Sequence, residues 1–243
     1  MKLTPGERLE DLQCKGLKII QNKDLYTFTS DSVVLANYVK TKSNTIAVEI
    51  GAGSGVISIL VQAKNDIKKI YAFELQKEMA KLCQKNIKLN NLEDKICLFN
   101  ANIKDFEEYL PKESADVVYS NPPYFKETNF EQDEVKRIAK EEICLSCKDL
   151  CEVASKLLKN GGTFYCCYSA ERSVELICNL QKANLMVKEM FFTENGKGKT
   201  KLVLVKSVKG AKYGVKVLPN LVTNEESGDY LETLHTKNYL NNN

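Results

Sequence analysis

The sequence predicts an α/β chain: a doubly wound, mainly parallel sheet of seven strands, helices on both faces, and an antiparallel terminal hairpin. Three observations carry this expectation. From Asn44 onward, short β-rich runs alternate with longer segments of helical period, the signature of a βαβ succession. An apolar run, Ala47-Val48-Glu49-Ile50, passes directly into Gly51-Ala52-Gly53-Ser54-Gly55, as a strand does when it turns into a helix over a glycine loop. The last two β-rich runs are joined only by Glu194-Asn195-Gly196-Lys197-Gly198, which is turn chemistry and too short for a helix.

Taken in order, strands are expected at residues 45–50, 69–75, 96–100, 116–120, 163–168, 186–193 and 201–208, with helices in most of the gaps. Ahead of the sheet, 17–21 and 25–28 read as a small hairpin around Asn22-Lys23-Asp24, followed by a helix over about 30–40. Residues 1–43 are too few for a domain of their own. The expectation is therefore one domain over 1–243, with the leading hairpin and helix packed on its binding site. With 243 residues and 43% hydrophobic content, the chain can bury a full core without a partner, as a monomer.

Composition narrows the chemistry. No stretch approaches the ~18 continuous apolar residues of a membrane span, and the start from Met1 to Thr4 lacks the apolar core of a signal peptide. Nine cysteines, an odd number scattered from Cys14 to Cys178, fit reduced thiols in a cytoplasmic protein better than a disulfide framework. Cys144, Cys147 and Cys151 fall at i, i+3 and i+7 of an expected helix with no fourth ligand nearby. They read as small apolar side chains on one face, and no metal is expected. Cys166 and Cys167 are neighbours in a strand and so face opposite ways. His235 is the only histidine, which excludes most chemistry that needs an imidazole base or several imidazole ligands.

The glycine loop lets the backbone approach a ligand closely, and the helix after it offers unpaired N–H groups. A dinucleotide fingerprint would place its third glycine at position 56, which is valine. The spacing Gly51-x-Gly53-x-Gly55 after the acidic Glu49 instead resembles sites for S-adenosylmethionine (SAM). Glu74, at the end of the second main strand, would face the same crevice, where one carboxylate can accept both hydroxyls of a ribose. Asn102, just past the third, could orient an adenine ring, assisted by the amide of Ile103.

The segment Asp116-Val117-Val118-Tyr119-Ser120 is a buried strand that stops at Asn121-Pro122-Pro123-Tyr124. Consecutive prolines fix φ and hold the preceding asparagine extended, so the turn is stiff. It displays an amide, proline carbonyls and an aromatic ring at the carboxyl end of a central strand.

Together, Asn-Pro-Pro-Tyr and Glu-Ile-Gly-Ala-Gly-Ser-Gly resemble the amino-methyltransferases that modify adenine N6, within the Rossmann-like class I SAM-dependent methyltransferases. More closely, Glu7-Arg8-Leu9-Glu10-Asp11-Leu12, Phe28-Thr29-Ser30-Asp31-Ser32-Val33-Val34-Leu35-Ala36 and a tail over 221–240 look like the bacterial tRNA(Val) adenine-37 N6-methyltransferase family. The resemblance implies SAM as cofactor, the anticodon region of a tRNA as partner, and adenine N6 as methyl acceptor. It implies that Glu49, Gly51, Gly53, Gly55, Glu74 and Leu75 hold the cofactor together with Asn102, Ile103, Asn121, Phe28 and Asp31. It gives Asn121, Pro122 and Tyr124 the catalytic part, with Tyr124 and Phe125 on the target base. The chain departs from the family at Asn102, usually aspartate there. It departs again at Ala139-Lys140-Glu141-Glu142, where relatives often carry Ala-Arg-His-Glu.

Net charge is only +3, yet seven lysines and no acid lie between Asn195 and Lys216. Lys197, Lys199 and Lys201 are candidates for phosphate contacts, and a solvated hairpin is the alternative. Two other acceptors with a planar NH2 stay open, a release-factor glutamine and guanine N2 of rRNA. So does an RNA-binding module without catalysis.

Overall fold

The computed structural model describes residues 2–122, 145–195 and 198–223. The expected strands appear as β3 (Ile46–Ile50), β4 (Lys69–Phe73), β5 (Ile96–Phe99), β6 (Ala115–Ser120), β7 (Leu158–Ser169), β8 (Leu185–Asn195) and β9 (Thr200–Lys209). They lie in the order β5-β4-β3-β6-β7-β9-β8. All pairings from β5 to β7 are parallel, and β9 is antiparallel to both its neighbours. Two short strands, β10 (Lys216–Val217) and β11 (Leu221–Thr223), add to β8 in parallel, so the described sheet has nine strands rather than seven. At two and three residues, around Pro219, they are too short to show any periodicity.

The helices are α1 (Ser30–Tyr38), α2 (Val56–Asn65), α3 (Lys77–Leu89), α4 (Cys147–Leu157) and α5 (Ser173–Lys182). Neighbouring residues of β7 show which face each helix covers. Tyr165 meets the ring of Tyr38 on α1 edge-on, with centroids 5.2 Å apart, and Cys167 lies near Asp31 of the same helix. Cys166, pointing the other way, lies near Cys147 and Cys151 on α4. Helices therefore cover both faces, and the Cys147 and Cys151 thiols are buried core. Residues 32–39 are buried all round because α1 is wedged between β7 and α2.

The leading hairpin differs from expectation. Its strands are β1 (Glu7–Asp11) and β2 (Lys18–Asn22), paired in register Glu7↔Asn22 to Asp11↔Lys18. Residues 25–28 are not a strand: the Leu25 N–H bonds the Asn22 carbonyl in a turn, and Phe28 N–H donates to the Gln21 side chain. β1 gives no pattern in the sequence because its apolar residue, Leu9, is exposed. β2 is tied to α3 by two side-chain amides. Asn90 accepts from Lys18 N–H and donates to its carbonyl, and Asn86 does the same for Ile20. One turn apart on α3, these amides stand in for the missing partner strand.

Candidate functional site

Strand order reverses beside β3, whose neighbours β4 and β6 lead to opposite halves of the sheet. A crevice at the carboxyl end of such a switch point is where open α/β sheets bind ligands. Ile50 pairs with Ser120 across β3 and β6, so Gly51 and Asn121 leave the sheet side by side, about one strand spacing, ~4.8 Å, apart.

The loop after β3 is fixed by backbone and side chains together. Gly51 and Ala52 N–H both donate to the Phe73 carbonyl. Gly51, Gly53 and Gly55 all have φ in the left-handed region, at 76°, 55° and 86°. A Cβ on Gly51 would meet nothing within 4 Å, so this residue borders open space, whereas one on Gly55 would lie 2.7 Å from Cys83 Sγ. Gly51 thus leaves room for a ligand, and Gly55 lets α3 close against the loop. Asn86 also donates to the Ser54 carbonyl, so one buried amide holds both the loop and β2.

Glu74 lies between loop and crevice. Its Oε2 accepts Gly53 N–H at 2.7 Å and its Oε1 accepts Gln76 N–H at 2.8 Å. Burial pushes its pKa up, against these backbone hydrogen bonds. Each oxygen keeps a second lone pair, so the carboxylate can still take ribose hydroxyls while clamping the loop. Leu75 beside it is 41% exposed, an apolar surface at the rim suited to a flat ring.

Asn102 caps the short 3₁₀ helix Ile103–Glu108, its Oδ1 accepting Lys104 N–H at 3.0 Å. That oxygen keeps a second lone pair and the NH2 takes no part in the cap, so the amide can still present either end to a ring. Ile103 is buried behind it. Phe28 is buried too, and Asp31 accepts a hydrogen bond from the Thr29 hydroxyl.

The sequence reading counts Glu49 among the cofactor contacts. Its carboxyl is fully buried; Oε2 accepts from the Ser58 hydroxyl on α2, and Oε1 receives no hydrogen bond from the described residues. Ser58 Oγ is also 2.9 Å from Tyr119 OH. Burial is the main cause of a Glu49 pKa raised to about 8, only partly offset by the Ser58 hydrogen bonds. So raised, the carboxyl is largely protonated at neutral pH.

Asn121 is the most informative group. Its Nδ2 donates to Ser32 Oγ on α1 at 3.3 Å. Its Oδ1 is buried and receives no hydrogen bond from the described residues. An unsatisfied buried acceptor costs about 1–3 kcal/mol, so its persistence beside Gly51, which borders open space, marks a place for an N–H. Pro122 is buried next to it. Tyr124, Phe125 and Lys197, with Ala139 to Glu142, lie outside the described residues.

The lysine run is less uniform in space than in sequence. Lys206 is 2.6 Å from Glu189, and Lys209 is 2.9 Å from Glu113. These acids come from elsewhere in the chain, which a stretch free of acids could not show. Lys199 and Lys201 sit on the β8–β9 hairpin. Because β8 runs parallel to β6, this hairpin lies on the same rim as Asn121.

Ser32, Ser58, Cys83 and Asn86 are not singled out by sequence reasoning, since each acts through a partner distant in the chain. Only Ser32 falls inside a quoted motif.

A family model described as the methyltransferase small domain matches residues 27–189. The chain belongs to the methyltransferase small domain family. The matched stretch takes in the glycine loop, Glu74 and Asn121. Among curated relatives of this methyltransferase small domain, a Flavobacterium johnsoniae protein named tRNA1(Val) (adenine(37)-N6)-methyltransferase is 25% identical over 151 residues, 62% of this chain and 64% of that protein. A Methanocaldococcus jannaschii protein named putative protein N5-glutamine methyltransferase is 34% identical over 113 residues, 46% of this chain and 54% of that protein. The chain thus spans less than two thirds of the length of either. A solved structure of a predicted O-methyltransferase from Agrobacterium tumefaciens superposes with a TM-score of 0.67 at 18% identity, covering 85% of this chain and 96% of that one. The fold is that of the class I SAM-dependent methyltransferases.

Proposed function

We propose that this chain transfers a methyl group from SAM to the exocyclic N6 of an adenosine in tRNA, at position 37 beside the anticodon of a valine tRNA. The buried Asn121 Oδ1 beside the glycine loop, which accepts nothing from the described residues, carries the reading. A planar NH2 is the acceptor whose hydrogens such a carbonyl can take, and the names of the curated relatives supply adenine 37 as the base.

The residues present fit the cofactor: Gly51 borders open space, Glu74 keeps lone pairs for a ribose, and Leu75 offers an apolar surface. When bound, SAM supplies an activated sulfonium methyl. Asn121 Oδ1 and the Pro122 carbonyl each accept one amine N–H. This draws the nitrogen toward tetrahedral geometry and frees its lone pair from the ring. Positioning of this kind contributes on the order of 7–11 kcal/mol when reacting atoms are held near contact. No strong protein base is needed.

Tyr124 and Phe125, next in sequence, stack on the base, a contact worth roughly 1–3 kcal/mol. An anticodon-loop adenine is already partly unstacked, which keeps extrusion to a few kcal/mol or less. Lys199 and Lys201, on the same rim, contact phosphates, and Lys197, close to them in sequence, does the same. The proposal places the protein in the cytoplasm as a monomer that uses no metal. Among the described residues, no helix is long and apolar enough to cross a membrane.

Incubation with labelled SAM and total tRNA, followed by nucleoside mapping, is the test. Label in N6-methyladenosine is expected; label only in another nucleoside, or none, overturns the reading. A release factor assayed in parallel covers the second reading, a glutamine side-chain amide, which the Methanocaldococcus relative and the same planar NH2 both favour.

A further inference from the structure

An asparagine amide looks almost the same from either end, yet its two ends do opposite things. If the carbonyl faces the crevice, Asn121 takes a hydrogen from an incoming amine. If the NH2 faces it, two donors confront two donors and the amine is repelled. The Pro-Pro turn holds the backbone of Asn121 but leaves rotation about its last side-chain bond open. Something else must set the polarity.

We propose that Ser32 is that positioning residue: with its own hydrogen given to a carbonyl of the preceding turn, as a helix serine can, its buried hydroxyl oxygen is left to accept the Asn121 NH2 and so keeps Oδ1 turned to the methyl acceptor. The inference rests on the reading that Oδ1 receives an amine N–H. Three observations carry it. Asn121 Nδ2 lies 3.3 Å from Ser32 Oγ. Ser32 is only 6% exposed and sits in a helix held on both sides, so its hydroxyl has little freedom to move away. Oδ1 at the opposite end is buried and receives nothing from the described residues, as a reserved acceptor should be. Tyr119 and Asn121, two residues apart, share the face of β6 toward which α1 and α2 lie, so the contact follows from strand alternation.

Threonine and valine at position 32 differ by a hydroxyl in place of a methyl and separate polarity from packing. In ¹⁵N–¹H spectra, the Asn121 side-chain pair is identified as the signals that vanish in Asn121→Asp. That pair is expected to exchange with solvent about tenfold faster in Ser32→Val than in Ser32→Thr, the factor that one hydrogen bond of ordinary net strength is worth. Equal exchange in the two variants overturns the proposal. This measurement needs no methyl transfer, so it decides on Ser32 even if wild-type protein labels neither tRNA nor release factor, a result that would instead sink the function proposed above. In the methylation assay, Ser32→Val should lose about tenfold in kcat relative to Ser32→Thr, with the KM for SAM within about twofold. Equal loss in kcat and SAM affinity would indicate a merely structural residue and count against it.

Discussion

Glu49 and Tyr119 stand opposite each other in register on β3 and β6, and a single hydroxyl, that of Ser58, is within hydrogen-bonding distance of both. Burial holds the carboxyl at a pKa of about 8, against the Ser58 hydrogen bonds that lower it. A carboxyl raised above its ordinary 4.5 binds more protons folded than unfolded between about pH 4.5 and 8. Stability is therefore undiminished below that window, falls as pH rises through it, and levels off above it. Glu49→Gln keeps the shape and removes the ionisation. Urea midpoints from pH 5 to 9 should show a slope shallower than wild type by up to about 1.4 kcal/mol per pH unit; identical slopes would rule the assignment out.

The two loop glycines should fail in different ways. Gly55→Ala combines left-handed strain with a Cβ 2.7 Å from Cys83 Sγ and is expected to lose roughly 2–5 kcal/mol of stability. Gly51→Ala carries the backbone strain alone, about 1–2 kcal/mol, but its methyl projects into the space assigned to the cofactor. Calorimetry should find SAM bound at least about tenfold more weakly by Gly51→Ala, a factor that 1.4 kcal/mol of contact clash produces. Undiminished affinity there would move the cofactor elsewhere.

Asn121→Ala removes the reserved acceptor without touching Gly51 or Glu74. Methyl transfer should fall by about 10²-fold or more, as when one polar group aimed at a transition state is lost, while SAM affinity stays within a few fold. Turnover near the wild-type rate would refute the role given to the amide.

Lysines that look alike in sequence should separate by their place on the sheet. Lys199→Ala with Lys201→Ala is expected to raise the RNA KM and flatten its dependence on salt, by about one unit of slope for each phosphate no longer neutralised. Lys206→Ala and Lys209→Ala, whose ammonium groups face Glu189 and Glu113, should do neither. Uniform effects across all four would point to a diffuse field rather than a docking edge.

Periodicity exposes what repeats and chemistry exposes what is rare. The seven main strands are legible to within a few residues because each carries a run of β-branched or aromatic side chains. The glycine loop and Asn121 are legible because few folds require those residues in that order. β1, β10 and β11 are not, being edge pieces with exposed apolar residues or too few residues to alternate. The supporting polar groups are hidden for another reason. Ser32 meets Asn121 across 89 positions, Ser58 meets Tyr119 across 61, and Asn86 meets Ile20 across 66. A lone serine or asparagine inside a helix gives no hint of which distant atom it answers to. Glu49 is conspicuous beside the glycine loop, but its partner Ser58, nine positions on, carries no mark in the sequence.

Asn86 spends one NH2 group on two masters, the carbonyls of Ile20 and Ser54. Opening of the leading hairpin and loosening of the glycine loop are therefore one local event. A molecule that settles on the loop is expected to slow amide hydrogen exchange in β2 through this shared amide, and clipping the first 22 residues to loosen its grip. The amino terminus reports on the site, and proteolysis there would reveal whether the site is filled.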